Sequence, residues 1–166
     1  ALNLGNLAVE VFAIRGTSPT DIWAATDVGL QHWDGSAWTL APLADTRIRF
    51  LDANAPDDVW VAGEAKSDVG TGVIAHWNGT AWTQKRTPEE IYNSIASSSA
   101  DDVWLVVADG ELRHFDGVAW SSATTVGQRP NGTTAISGIH SIDANPVVAV
   151  STLRKIGRSH ARPPVT

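Results

Sequence analysis

A chain of 166 residues, 43% hydrophobic and 18% charged, has the composition of one globular domain or of part of a larger one. It has no Cys, which removes disulfides, thiol catalysis and thiolate metal sites, and its apolar runs are too short to span a bilayer. The net charge of −6 divides into an acidic body, 1–152, holding all 18 Asp and Glu, and a basic end with Arg154, Lys155, Arg158 and Arg162; such a body argues against nucleic acid, whose phosphates call for clustered Lys and Arg.

One pattern is written three times along the chain. The first copy, about 9–41, has a breaker at Gly16-Thr17-Ser18-Pro19, then Asp21-Ile22-Trp23, then His32-Trp33-Asp34-Gly35-Ser36-Ala37-Trp38. The second, about 46–86, reads as four short strands at Arg47–Asp52, Val59–Ala62, Val73–Trp77 and Ala81–Lys85. It carries Asp58-Val59-Trp60 and His76-Trp77-Asn78-Gly79-Thr80-Ala81-Trp82, its breaker is Ala53-Asn54-Ala55-Pro56, and residues 64–70 lengthen its middle hairpin. The third, about 91–124, carries the breaker Ser97-Ser98-Ser99-Ala100, then Asp102-Val103-Trp104 and His114-Phe115-Asp116-Gly117-Val118-Ala119-Trp120. A fourth, 135–152, begins at Ile142-Asp143-Ala144-Asn145-Pro146, which matches Leu51–Pro56, and then loses the motif. The tail, 153–166, departs from it altogether and reads as a solvated basic end.

A repeat of about 40 residues built from four short strands predicts an all-β fold, a β-propeller of four-stranded antiparallel blades with three clear blades and a degenerate fourth. Pro19 and Pro56, lacking an N–H, are expected to stop the first strand of their blades. Asp34-Gly35, Asn78-Gly79 and Asp116-Gly117 predict two-residue hairpin turns in which both central residues accept positive φ. Trp33 then faces Ser36 and His32 faces Ala37, which leaves Trp33 and Trp38 as a diagonal pair on one face and Leu30 and His32 on the other. Three and a half blades do not close a ring easily. Leu2–Val9 completes the fourth blade, or several copies assemble, or the chain is a piece of a longer propeller; absence of Met at position 1 fits a processed or partial chain. Assembly as a homo-oligomer, or membership of a longer chain, is favoured.

The chemistry is sparse. His32, His76 and His114 sit at equivalent blade positions, too far apart by rotation to share one ion, so no metal and no cofactor is expected. Each imidazole is expected to bond within its blade to Asp21, Asp58 or Asp102. Asp57-Asp58 and Asp101-Asp102 are neighbours on strands and point to opposite faces, which does not suit a glycosidase pair, and neither a nucleophile elbow nor a phosphate-cradling loop appears. The chain reads as no enzyme. Trp23, Trp60 and Trp104 are assigned to the core. Trp38, Trp82 and Trp120 on the outer strand, with Asp34, Asn78 and Asp116 beside them, form the candidate ligand set: indole faces stack on pyranose rings while the polar groups bond hydroxyls.

The run Asp-Val-Trp-x-Val followed by Gly-x-(Leu/Ile)-x-His-Trp-(Asp/Asn)-Gly-x-x-Trp resembles tectonin-like propeller repeats, and also repeats of large bacterial surface and secreted proteins, over residues 10–125. That resemblance implies a lectin-like recognition module, multivalent for glycans at repeated inter-blade sites, secreted or on the cell surface. The alternative is a protein–protein interaction scaffold or a fragment of a larger propeller protein or enzyme. The hairpin also resembles the Asp-box of sialidase-type propellers. It lacks that motif's residue between Asp and Gly and has His at position 32, so no sialidase chemistry is transferred.

Overall fold

The computed structural model describes residues 9–87, 90–108, 111–121, 124–125 and 138–139. It is all-β. Three four-stranded antiparallel sheets follow in chain order: β1 (Val11–Ser18), β2 (Asp21–Thr26), β3 (Gly29–Trp33) and β4 (Trp38–Leu40); β5 (Thr46–Ala55), β6 (Asp58–Ala65), β7 (Gly72–Trp77) and β8 (Trp82–Thr87); β9 (Tyr92–Ser99), β10 (Asp102–Val107), β11 (Glu111–Phe115) and β12 (Thr124–Thr125). Each sheet is a meander, and β1, β5 and β9 lie against one another across the sheets, so these are the inner strands of three consecutive propeller blades. The expected fourth blade, apart from Gly138 and Ile139, lies outside the described residues, as do the tail 153–166 and residues 2–8 of the segment proposed to complete that blade.

Both faces of a blade are apolar because each packs on a neighbour. Trp23, Ala25 and Leu30 of blade 1 bury against Ile48, Leu51, Val59 and Val61 of blade 2. The other face of blade 2, with Trp60, Ala62 and Ile74, buries against Tyr92, Ile95, Val103 and Leu105 of blade 3. Period-2 alternation within β6 sends Val59 and Val61 one way and Trp60 and Ala62 the other, which is why this strand is apolar throughout.

Two sequence expectations change. The breakers are shorter than expected: β1, β5 and β9 run into them as far as Ser18, Ala55 and Ser99, and Pro19 and Pro56 stop the first two of these strands as anticipated. The extra residue is absorbed as a bulge, between Gly16 and Ser18 in β1 and between Ala53 and Ala55 in β5. Pro19 and Pro56 then open two-residue turns, since Ser18 pairs with Asp21 and Ala55 with Asp58. The outer hairpins also have a longer turn than their Asx-Gly signal suggests. Trp33 pairs directly with Trp38, Trp77 with Trp82 and Phe115 with Trp120, leaving four residues in each loop. Only the glycines adopt positive φ there, at 94°, 87° and 86°. A Cβ on Gly35 would lie 2.7 Å from Thr20, so each loop packs tightly over the turn between the first two strands of its own blade. The two-residue shift preserves the faces. It makes the Trp pairs direct, and it puts Thr39, not Ala37, opposite His32.

The lengthened hairpin of blade 2 begins as strand and continues as a five-residue loop, 66–70. Glu64 and Ala65 remain paired in β6, and the loop proper is held by Asp45, which accepts from Ser67 N at 2.8 Å and from Arg86 at 2.9 Å. Those bonds hold the Asp45 carboxyl below its ordinary value, the Ser67 hydroxyl contributing most.

Candidate functional site

Each blade contains the same polar chain. His32 Nε2 lies 2.7 Å from Asp21 Oδ1, His76 Nε2 lies 2.9 Å from Asp58 Oδ1, and His114 Nε2 lies 2.6 Å from Asp102 Oδ1. This is the intrablade bond the sequence suggested. The second oxygen of each carboxylate accepts from a residue four positions earlier: Thr17, Asn54 or Ser98. Sequence reading missed these three, although a polar donor stands at that spacing before every Asp-x-Trp. Burial raises the Asp102 carboxyl, but bonds from Ser98 and His114 outweigh it and leave the group below its ordinary value. The Ser98 hydroxyl meets the carboxylate and not the imidazole, so Ser98, Asp102 and His114 do not form a nucleophile–base pair.

The opposite purpose of each imidazole is to carry a tryptophan. Trp23 stacks on His32 at 4.0 Å, Trp60 on His76 at 4.2 Å and Trp104 on His114 at 4.2 Å, because each pair is directly opposed across its two middle strands. Trp23 and Trp60 are 3% and 6% exposed, as a core role requires; Trp104 is half-buried. The indole N–H of all three is buried, and that of Trp104 helps to lower the Asp102 carboxyl.

These stacks floor two quasi-equivalent grooves between blades. The groove between blades 1 and 2, about 520 Å³, has Trp23 and His32 below and Thr39, Pro42, Ala81 and Trp82 around it. The groove between blades 2 and 3, about 670 Å³, has Trp60 and His76 below and Lys85, Asp101, Val118 and Trp120 around it. Such grooves are where propeller-type surfaces offer concavity with a few polar groups.

The six candidate residues divide. Trp82 and Trp120 wall the grooves, each with an edge against the floor: Trp82 meets Trp23 at 5.5 Å and 82°, and Trp120 meets Trp60 at 6.2 Å and 84°. Trp38 lines neither groove; it pairs with Trp33 at 5.8 Å on the far face of blade 1. Asp34, Asn78 and Asp116 cap their own loops. Asp34 Oδ1 accepts from Ser36 N, Ser36 Oγ and Ala37 N at 2.7–2.9 Å. Asn78 Oδ1 repeats all three bonds, the last two coming from Thr80 Oγ1 and Ala81 N, and Asp116 accepts from Val118 N and Ala119 N. The Ala37 and Ser36 bonds hold the Asp34 carboxyl down to about 2, and Asp116 is lowered by the Ala119 and Val118 N–H groups. Trp33 and Trp77 donate their indole N–H to the carbonyls of Pro19 and Pro56, at 3.3 and 3.1 Å, which ties the hairpin to the inner turn. Among the described residues, no group of three His, Asp or Glu side chains gathers as a metal site would require.

No protein-family model and no curated protein matches the chain. Solved structures do. The chain is similar to YCF48 bound to D1 peptide, with a TM-score of 0.54 and 16% identity over 76% of this chain and 46% of that one. It is also similar to YCF48 from Cyanidioschyzon merolae, with a TM-score of 0.51 and 15% identity over 75% of this chain and 41% of that one. The likeness is one of fold, a propeller-type repeat, and the chain spans less than half the length of either structure.

Proposed function

We propose that this is a non-enzymatic recognition module that binds a segment of another protein in the grooves between its blades. The observation that carries the reading is the pair of equivalent grooves, each with a stacked Trp–His floor, an aromatic wall and polar groups, Thr39 and Thr80 in the first and Lys85 and Asp101 in the second. A peptide offers both apolar side chains for the floor and backbone groups for the rim. The structural likeness to YCF48 bound to D1 peptide supports a peptide as the class of ligand.

Multivalent glycan binding is the second reading, favoured by half-buried Trp82 and Trp120 in repeated grooves. Of Asp34, Asn78 and Asp116 it has to use the second polar atom, since each Oδ1 holds its own loop. Peptide display on the immobilised chain, run beside a glycan array, separates the two. Peptide binding is expected to survive free sugars and to fall at least about tenfold in Trp120→Ala, as for a central aromatic contact. Saturable glycan binding with no peptide selected would replace the first reading with the second.

A further inference from the structure

The two grooves share a floor and a wall, which makes each a control for the other. Register fixes which residues correspond. In blade 2, His76 faces Thr83 and Ile74 faces Lys85. In blade 1, His32 faces Thr39, and Ala41 N donates to Leu30 O. Thr83 therefore stands where Thr39 does, and Lys85 where Ala41 does. On the far wall Val118 stands where Thr80 does, two residues after the loop Asx in each case.

The grooves differ in charge. No Lys, Arg, Asp or Glu lines the first, whereas the second has Lys85 on its blade 2 side and Asp101 on its blade 3 side. Asp57, which precedes Asp58 as Asp101 precedes Asp102, does not line the first groove. Lys85 and Asp101 are both exposed, and neither has an ion pair among the described residues. Arg86, beside Lys85 on β8, is instead held by Asp45.

The two charges stand at opposite ends of the groove. Asp101 lies against the hairpin loop of blade 3, where a Cβ on Gly117 would come 3.0 Å from its Oδ1. Lys85 lies two residues past Thr83, away from the loops, which is roughly 7 Å along a strand. Between them Ile74, His76 and Trp120 form an apolar and aromatic seat, with Val118 89% exposed on the rim. A surface that is negative at one end, apolar in the middle and positive at the other complements a ligand of the opposite order. A neutral sugar has no such order. An extended peptide has it whenever alternate side chains, which share a face, are basic, apolar and acidic.

We propose that the groove between blades 2 and 3 is the selective one of the pair. It takes an extended peptide segment of basic-x-apolar-x-acidic pattern, in either chain direction, with the basic side chain at Asp101 and the acidic one at Lys85. The apolar side chain between them sits on Ile74 and Trp120. This rests on the reading that the grooves bind peptide. The groove between blades 1 and 2, with Ala41 in place of Lys85, has no carboxylate or ammonium with which to choose.

Fluorescence polarisation on the full chain tests this. The probes are labelled peptides with Lys, Leu and Glu at three alternate positions and Thr between them to favour an extended chain, and the same peptides with Lys and Glu replaced by Gln. The charged peptide is expected to bind about tenfold more tightly than its neutral counterpart, and the preference is expected to fade in high salt, because both contacts are at the rim. Lys85→Glu is expected to reverse the choice at one end, so that a peptide with Lys in place of Glu binds better. Asp101→Lys is expected to do the same at the other end. Both positions are exposed, so circular dichroism should show the two variants folded as the parent. Binding indifferent to peptide charge, or a charge preference that neither variant reverses, overturns the proposal and leaves peptide recognition standing. So does failure of these peptides to bind while display selects others. Should display select no peptide at all, the reading beneath the proposal fails, and the proposal with it.

Discussion

Asp34, Asn78 and Asp116 occupy one position in three blades and perform one task by the same geometry, an oxygen that gathers the N–H groups of a four-residue loop. Two of them titrate and one does not. The Asp34 carboxyl is held at about 2 in the folded chain against an ordinary 3.8. A depressed carboxylate stabilises the fold above its unfolded value, and that stability is lost as pH falls through the folded one. The hairpin of blade 1 is therefore expected to loosen between about pH 4 and pH 2, while the Asn78 hairpin shows no such transition. Carbon-detected NMR of the Asp34 carboxyl should give a midpoint near 2; a midpoint at 3.8 would remove the cap from the account. The Asx-Gly pairs were legible in the sequence as hairpin turns. The length of the turn was not, because two-residue and four-residue turns both use Gly for positive φ, and only the bonds from Ser36 and Ala37 decide between them.

At the scale of elements, strands hold together through pairs chosen by register. Direct opposition of Trp60 and His76 makes the stack, and direct opposition of Phe115 and Trp120 makes the wedge that enters beside it. Trp120→Ala is expected to cost about 3 kcal/mol, the low end for loss of a packed Trp because the ring is half-buried. A double-mutant cycle with Trp60→Leu should show coupling of about 1 kcal/mol, measured by urea unfolding. Coupling near zero would mean that the two blades do not share this contact. The four-strand reading of blade 2 survived, since alternation in Val59–Ala62 and Val73–Trp77 is a local property. The bulges at Gly16–Ser18 and Ala53–Ala55 were read as strand ends, because Pro, Ser and Asn mark a bulge and a terminus with the same residues.

Across the whole molecule, the repeat carried the fold: three written copies became three blades, each pair joined by an apolar face that no blade can bury alone. The candidate site was only half legible. Trp82 and Trp120 belong to the grooves, but what they touch depends on the neighbouring blade, and a single repeat does not contain its neighbour. The two grooves follow from one rule, that the stacks of blades 1 and 2 are each capped by the aromatic pair of the next blade. Nuclear Overhauser effects between indole ring protons test that rule most directly. Cross-peaks are predicted between Trp23 and Trp82 and between Trp60 and Trp120, and none between Trp104 and another indole. Absence of the first two contacts, in a chain that is folded, would contradict the account.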